Sequence, residues 1–364
     1  MSEIRCSNCG QPYPEQGLPY RCVRCGGLYD FASFPSFNSE HVDASLPGLW
    51  RYRHAFGLPG SAPIITLGEG RTPLAWGQAF GRQVAFKLEY LNPTGSFKDR
   101  GSALLASLLC ARGVETAVED SSGNAGASFA AYAARAGIQA RIFVPDYAAG
   151  PKRAQIEAYG AEIVSIQGPR SNTSEAVRRA ADQGAVYASH AYLPQLLPGY
   201  ATLAYELLEQ LGQAPGTLVA PAGQGNLLLA VGRGFIALKQ AGLIAQIPRL
   251  VGVQARACAP LWAVSQYGAA GLGWVTEGET LAEGVRIKHP LRGDALLRLV
   301  GDSRGEFVAV DEEQILPGRD QLARQGFYVE PTSAIVWSAL EQVLDHSPDP
   351  VAVLLTGSGF KSLE

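Results

Sequence analysis

The chain has 364 residues, enough for two domains of ordinary size or one large α/β unit. Hydrophobic residues make up 47% and charged residues 17%, which excludes intrinsic disorder, and a net charge of −3 without a dense basic run argues against a nucleic-acid-binding face. No segment reaches the roughly 20 consecutive apolar residues of a membrane helix, and Met1–Gly10 lacks the apolar core of a signal peptide. We therefore expect a cytoplasmic protein.

The first feature along the chain is a cluster of cysteines in residues 1–34. Two C-x2-C pairs are separated by twelve residues, the spacing of a zinc ribbon, and they comprise Cys6, Cys9, Cys22 and Cys25. Four reduced thiols or two disulfides are the alternatives. We expect one structural Zn²⁺, because four thiolates leave no open position for water or substrate. Cys110 and Cys258 stand in apolar surroundings and are expected in the core.

Beyond a connecting arm at 35–63, rich in Pro, Gly, Ser and aromatic residues, strands alternate with helices. The predicted strands are 84–90, 116–118, 140–144, 162–166, 217–220, 250–254 and 351–355. The predicted helices are 98–112, 125–136, 152–159, 174–183, 200–211, 226–240, 312–325 and 332–344. Such alternation predicts an α/β fold with mainly parallel sheets and helices on both faces.

Ligands in open α/β sheets bind beyond the carboxyl ends of strands, so the turns between strands and helices are the candidate sites. The first is Asn92-Pro-Thr-Gly-Ser-Phe-Lys98-Asp-Arg-Gly101. Its lysine should lie at a helix N-terminus, where the helix dipole favours the neutral amine that a Schiff base with an aldehyde cofactor requires. An ordinary solvated lysine at a helix start is the alternative.

The second turn is Ser121-Ser122-Gly123-Asn124-Ala125-Gly126-Ala127-Ser128. Its small residues expose backbone N–H groups at a helix start, which suits a substrate carboxylate, and we expect Ser121, Ser122 and Gly123 to bind it. Asn124 could reach a phenolic oxygen. An ordinary helix cap is the alternative.

The third turn, Pro221-Ala222-Gly223-Gln224-Gly225-Asn226-Leu227, joins a strand to a long helix. It offers consecutive N–H donors and a helix dipole to a phosphate. The run is neither GxGxxG nor a GK[ST] loop, which disfavours a dinucleotide or ATP site.

Together these motifs resemble the fold type II pyridoxal-phosphate enzymes of amino-acid metabolism, most closely the threonine synthases. The matching runs are PTGSFKDRG, SSGNAGAS, PAGQGN and the terminal LLTGSGFK, within residues 64–364. The resemblance implies a homodimer in which 64–95 and 198–364 form a larger cofactor-binding domain and 96–197 a smaller mobile one. It also implies that Lys98 holds pyridoxal 5′-phosphate as a Schiff base and serves as the proton shuttle. By the same resemblance, Asn124 binds the 3′-oxygen of the cofactor and Thr356 faces the pyridine nitrogen. The resemblance further implies that the cofactor phosphate is bound by a cup of Gly223, Gln224, Gly225 and Asn226.

A neutral hydroxyl such as that of Thr356 cannot hold the pyridine nitrogen protonated, as an aspartate would. The ring is then a weaker electron sink, which suits eliminations and replacements better than transamination.

Departures from the threonine synthase pattern bear on the substrate. Ala125 stands where that family usually has Thr, and no Lys or Arg occurs between Arg179 and Arg233, an interval that contains the stretch Ser189–Gly199. In the family this stretch supplies a cation for the substrate phosphate. Lys152 is the first candidate substitute, ahead of Arg153 and Arg286, and His190 and Tyr192 are the polar residues of the stretch itself.

Three functions remain open from the sequence. The first is conversion of O-phospho-L-homoserine and water to L-threonine and phosphate. The second is a related β-elimination or β-replacement, of the threonine or serine dehydratase or cysteate synthase type, with a pocket that tolerates an uncharged side chain. The third is a non-catalytic binding protein, against which the intact Lys98, Asn124 and Thr356 argue.

Overall fold

The computed structural model describes residues 3–362, which divide into two compact units. The first unit comprises the chain up to Gly70 together with Asn92–Tyr200, and the second comprises Arg71–Leu91 together with the chain from Ala201 onward. The predicted division into 64–95 with 198–364 and 96–197, and the mobility of the latter, remain predictions.

The first unit contains two sheets. β1 (Glu3–Cys6) and β2 (Tyr29–Ser33) form an antiparallel pair around the cysteines. A parallel four-stranded sheet has the order β7-β6-β5-β8, formed by β5 (Thr116–Glu119), β6 (Gln139–Pro145), β7 (Glu162–Ile166) and β8 (Val186–Tyr187). Its helices are α1 (Lys98–Ala111), α2 (Asn124–Ala136), α3 (Pro151–Ala158) and α4 (Arg170–Asp182). This alternation confirms the predicted α/β class.

The arm at 35–63 is more ordered than its composition indicates. Residues Gly48–Ala55 form 3₁₀ turns that bury Leu49, Trp50 and Tyr52. The Trp50 indole N–H donates to the buried carboxylate of Glu69 at 2.9 Å, and the Tyr132 hydroxyl donates to the same group at 2.7 Å. The sequence did not predict these turns, because the partner that satisfies Trp50 lies nineteen residues further along the chain.

The second unit is built on a six-stranded sheet of order β11-β10-β9-β12-β4-β3, parallel except for the edge strand β3. Its strands are β3 (Leu74–Ala79), β4 (Arg82–Lys87), β9 (Thr217–Pro221), β10 (Arg249–Ala255), β11 (Glu306–Val310) and β12 (Val351–Leu354). Its helices are α5 (Leu197–Leu211, which begins in the first unit), α6 (Asn226–Gln240), α7 (Pro260–Tyr267), α8 (Gly293–Asp302), α9 (Ile315–Arg324) and α10 (Pro331–Val343).

The central strands of this sheet are apolar on both faces, as expected of parallel strands covered by helices. Val219, Val251 and Val353 of three neighbouring strands pack in one buried cluster with residues of α10. Between residues 3 and 362 no helix is long and apolar enough to cross a membrane.

Candidate active site

Lys98 is the first residue of α1, as the sequence predicted. The turn before it is held by Asp99, a fully buried carboxylate that accepts from the Thr94 backbone N–H at 2.7 Å and from the Thr94 hydroxyl at 2.6 Å. The half-buried Lys98 amine lies 4.8 Å from the centre of the Phe97 ring. A turn fixed by a buried carboxylate presents this lysine in a defined position.

Asp99 also connects the first turn to the second. The Ser128 hydroxyl on α2 lies 2.6 Å from Asp99 Oδ1 and 2.8 Å from the Ser102 hydroxyl on α1. Lys98 and Asn124 are therefore the first residues of two helices that a buried polar network joins. The sequence analysis did not identify Asp99 or Ser128, although both lie within the quoted motifs.

The second turn, Ser121–Asn124, folds tightly over the start of α2. The Gly123 N–H donates to the Ser121 hydroxyl at 3.2 Å. A Cβ on Gly126 would lie 1.8 Å from the Ser121 carbonyl oxygen, so only glycine fits there. The Gly126 that follows the unusual Ala125 is thus required by the shape of this turn.

Two carboxylates at the end of β5 were missed by the sequence analysis. Glu119 accepts from the Ser121 N–H at 2.6 Å and lies 2.5 Å from Nδ1 of His190. Asp120 accepts from the Tyr187 hydroxyl at 2.6 Å and pairs with Arg170 at 2.9 Å. Burial opposes ionisation of Asp120. The Arg170 charge, the nearby His190 and the hydrogen bonds from Tyr187 and Arg170 together outweigh burial and hold the pKa of Asp120 below its usual value.

The stretch Ser189–Gly199 follows β8 and runs into α5, which begins three residues before the predicted Tyr200. His190 lies at the end of β8 beside Glu119, so it neighbours the Ser121–Asn124 turn. A Cβ on Gly199 would lie 2.1 Å from the Arg100 carbonyl oxygen, which brings the end of the stretch against α1. Lys152 is the second residue of α3 and is half-buried.

In the second unit, the turn Gly223–Asn226 joins β9 to α6 as predicted. Gly225 has φ +76° and directly precedes the helix, whose first N–H groups have no partner within the helix. A Cβ on Gly223 would lie 2.6 Å from the Gly284 carbonyl oxygen. The Gln224 side chain accepts from the Leu291 N–H at 3.1 Å, and the buried Arg292 lies 3.5 Å from Asn226 Oδ1, a cation that sequence reasoning missed.

Thr356 and Ser358 follow β12, the other predicted site in this unit. Thr356 is buried, and its N–H donates to the Ser333 hydroxyl at 2.8 Å. The Ser358 hydroxyl accepts from the Phe360 N–H at 3.3 Å, which caps the terminal 3₁₀ turn. Ser358 thus caps this turn, and Thr356 remains the predicted residue at the pyridine nitrogen.

Lys87 is a second buried lysine, at the end of β4. Its ammonium lies 2.7 Å from the Glu206 carboxylate and 2.6 Å from the Thr72 carbonyl oxygen, with all side-chain exposure lost. Such a paired ammonium is a structural cation. Lys87 is fully buried, whereas Lys98 is half-buried.

The four cysteines meet at the end of the β1–β2 pair. The Cys6 and Cys25 sulfurs are 3.5 Å apart, those of Cys9 and Cys22 are 3.6 Å apart, and all four lie within 4.8 Å of one another. These separations exceed the ~2.05 Å of a disulfide and fit a tetrahedral ion with Zn–S bonds of about 2.3 Å. Burial opposes ionisation of Cys22, but hydrogen bonds from the N–H groups of Arg24 and Cys25 and from the thiols of Cys9 and Cys6 together lower its pKa to about 6.

A family model described as pyridoxal-phosphate dependent enzyme matches residues 65–357. The chain belongs to this family. The matched segment contains all three glycine-bearing turns and Thr356.

Threonine synthase of Methanosarcina acetivorans is 31% identical to this pyridoxal-phosphate-dependent enzyme over 357 residues, covering 95% of this chain and 87% of that protein. Threonine synthase of Synechocystis sp. is 35% identical over 320 residues, covering 85% and 82%. The crystal structure of a threonine deaminase from T.th. has a TM-score of 0.66 and 27% identity, covering 81% and 94%. The enzyme is a threonine synthase-like lyase with the predicted fold.

The residues of this pyridoxal-phosphate-dependent enzyme suit its cofactor. The cofactor phosphate requires N–H donors at an uncapped helix start, which Gly225 and α6 provide. The cofactor aldehyde requires a lysine in an accessible turn, and the half-buried Lys98 meets this requirement, whereas Lys87 is enclosed in a buried ion pair. Ser96, whose buried hydroxyl has no hydrogen-bond partner among residues 3–362, adds a polar group to the same turn.

Proposed function

We propose that the enzyme converts O-phospho-L-homoserine and water to L-threonine and phosphate. The observation that carries this proposal is the similarity to threonine synthases over nearly the whole chain. The rigidly held turn of Lys98, on its buried Asp99, supports a catalytic lysine at this position.

We assign roles to the site residues in the same proposal. Lys98 attaches the cofactor and moves protons to and from the substrate carbons, and Asn124 binds the 3′-oxygen. The turn Gly223–Asn226 binds the cofactor phosphate, and Thr356 faces the pyridine nitrogen. Ser121, Ser122 and Gly123 bind the substrate carboxylate, supported by the position of their turn at the start of α2.

The bound cofactor supplies an electron sink for the carbanion chemistry of the reaction. The protein supplies binding, orientation and the proton carrier. A neutral hydroxyl at the ring nitrogen leaves the cofactor a weak electron sink. Departure of the leaving group from the substrate must therefore remove the electron pair of the carbanion. The hydrogen bond from the Thr356 N–H to the Ser333 hydroxyl supports this role, because it fixes the backbone of Thr356.

The substrate phosphate needs a cation, and we propose Lys152 at the start of α3. A charge-assisted hydrogen bond to a phosphate contributes about 1.5–3 kcal/mol, so one residue makes a measurable difference. The position of Lys152 at the start of α3, a helix end whose N–H groups also attract anions, supports this role.

Two observations favour a second function. The stretch Ser189–Gly199 contains no Lys or Arg, and the fold matches a threonine deaminase at 27% identity. A β-elimination or β-replacement on an uncharged amino acid, of the threonine or serine dehydratase or cysteate synthase type, is therefore the alternative.

We further propose that the four cysteines bind one structural Zn²⁺, supported by their mutual sulfur distances. A homodimer and a cytoplasmic location remain predictions from the resemblance and from the sequence.

The test is a panel of amino acids offered to the purified enzyme, with phosphate, ammonia and keto-acid release measured in parallel. We expect phosphate and threonine from O-phospho-L-homoserine. Ammonia from serine or threonine, without phosphate release from O-phospho-L-homoserine, would replace the first function by the second. Lys98→Ala protein is the matched control for contaminating activities.

A further inference from the structure

The cysteine module, residues 3–34, lies directly on the stretch Ser189–Gly199 within the first unit. Arg21 donates from Nη2 to the Tyr192 hydroxyl at 2.7 Å, and its guanidinium lies 5.1 Å from the centre of the Tyr192 ring. Tyr20 packs edge-on against Tyr192 at 5.2 Å. The stretch contains no Lys or Arg, and the cysteine module places the Arg21 guanidinium beside it.

The contact extends beyond Arg21. Leu18 and Leu193 are buried in one apolar cluster with residues of α1 and α2. Strand β2 also contacts the turn Pro194–Leu196 of the stretch. The module therefore contacts the middle of the stretch, from Tyr192 to Leu196. The spacing of its cysteines predicts only a structural zinc site.

A chain of contacts leads from the module toward the substrate-carboxylate turn. Tyr20 packs against Tyr187 at 5.3 Å, and the Tyr187 hydroxyl donates to Asp120 at 2.6 Å. Asp120 is adjacent to Glu119, which holds both His190 and the Ser121 N–H. Movement of the aromatic residues would therefore disturb the groups around the proposed substrate site.

The position of Arg21 depends on the cysteine knuckle that follows it. Cys22 donates its N–H to the Gly27 carbonyl oxygen at 2.8 Å, and its own carbonyl oxygen accepts from the Gly26 N–H at 2.8 Å. These bonds fix the backbone next to Arg21, and a bound ion that holds Cys22 and Cys25 together would fix it further.

We propose that the cysteine module is a positioning element for the substrate stretch. Arg21 holds Tyr192, and metal binding by the four thiolates is thereby coupled to substrate binding. The proposal rests on the proposed function for the identity of the substrate and of the metal. Arg21 is a positioning residue here, since it acts through Tyr192.

The experiment compares full-length holoenzyme with Arg21→Ala, Arg21→Lys and Tyr192→Phe variants. Hydrogen–deuterium exchange of peptides covering residues 186–200 reports on the stretch without requiring turnover. Steady-state kinetics with O-phospho-L-homoserine, zinc content and cofactor absorbance are measured on the same preparations. Arg24→Ala is the control, because Arg24 is exposed and belongs to the same knuckle.

For Arg21→Ala we expect faster exchange in residues 186–200. We also expect KM to rise about threefold to tenfold, because the variant loses one or two hydrogen-bonding contacts. kcat, zinc content and cofactor absorbance should stay near wild type. Arg21→Lys should restore part of the protection, and Arg24→Ala should match wild type. Removal of zinc with a chelator should reproduce the change in exchange.

Wild-type exchange and KM in both Arg21→Ala and Tyr192→Phe would overturn the proposal, as would unchanged exchange after zinc removal. If Arg21→Ala loses its zinc, the Tyr192→Phe variant tests the proposal instead. It removes the hydroxyl that accepts from Arg21 and leaves the cysteine module unchanged. If the wild-type enzyme releases no phosphate, the proposed function fails. The kinetics then use the amino acid that the enzyme consumes, while the exchange comparison stands unchanged.

Discussion

The carboxylate of Glu119 lies 2.5 Å from Nδ1 of His190 and also accepts the Ser121 N–H at 2.6 Å. One buried side chain thus fixes two elements of the proposed substrate site. Glu119→Gln removes the charge at nearly constant volume. We expect kcat/KM to fall roughly 10- to 150-fold, which corresponds to a loss of about 1.5–3 kcal/mol of transition-state stabilisation. Steady-state kinetics check this, with the exposed Glu115→Gln on the same segment as the control. Wild-type kinetics in Glu119→Gln would show that the pair only supports the fold.

Lys98→Ala should abolish turnover and the visible absorbance of bound cofactor, because the amine that attaches the cofactor is removed. Borohydride reduction of the wild-type enzyme followed by peptide mapping should locate the pyridoxyl group on Lys98. The exposed Lys239→Ala serves as control and should behave as wild type. A pyridoxyl group on any other lysine would contradict the assignment.

Protein purified without chelator should contain one zinc per chain, bound with an apparent free energy of about 10–16 kcal/mol. Cys22→Ser should lose the metal and unfold residues 3–34, while the cofactor absorbance remains, since the motifs proposed to bind the cofactor lie beyond Ile64. Cys110→Ser, which changes a cysteine outside the cluster, should keep its zinc. If metal analysis finds no zinc, the predicted metal site is wrong. If the cofactor absorbance is lost when zinc is removed by a chelator, the predicted independence of the cofactor site is wrong.

Thr356→Asp should place an anion at the pyridine nitrogen and favour its protonated form. We expect a shifted cofactor spectrum and an increase in side reactions such as transamination. Thr356→Ser keeps the hydroxyl and is the conservative control. An unchanged spectrum and product ratio in Thr356→Asp would direct the assignment to Ser358.

Lys152→Ala should raise KM for O-phospho-L-homoserine. We expect kcat/KM to fall roughly 10- to 150-fold, which corresponds to a loss of about 1.5–3 kcal/mol of transition-state stabilisation. A substrate without a phosphate, such as serine, provides the internal control, because its KM should not change. Equal effects on both substrates would mean that Lys152 supports the protein rather than the phosphate.

The sequence located the three glycine-bearing turns because their signals are local. Helix α1 begins at Lys98 as predicted, and strand β7 occupies the predicted residues Glu162–Ile166. Boundaries were wrong where the signal was weak: α4 begins at Arg170, four residues before the predicted Ser174, and the predicted helix 312–325 divides into a 3₁₀ turn and α9.

The remaining features depend on partners that are distant in sequence. β8 has two residues and gains its place only by pairing with β5. Glu119 resembles any strand carboxylate until folding brings His190, seventy-one residues later, to its side. Helices α7 and α8, in a segment rich in Gly and Ala, were not predicted because their apolar pattern is short.

Gly199 sets a limit on attempts to change the enzyme's specificity by protein engineering. A Cβ at this position would overlap the Arg100 carbonyl oxygen, so the backbone at the end of the stretch touches the backbone of α1, the helix that begins at Lys98. Libraries that randomise the stretch to admit new amino acids should vary residues 190–198 at constant length and leave Gly199 untouched. Insertions or grafts that cross this junction would displace Lys98 as well, and under the proposed function selections for new substrates would then recover inactive enzymes.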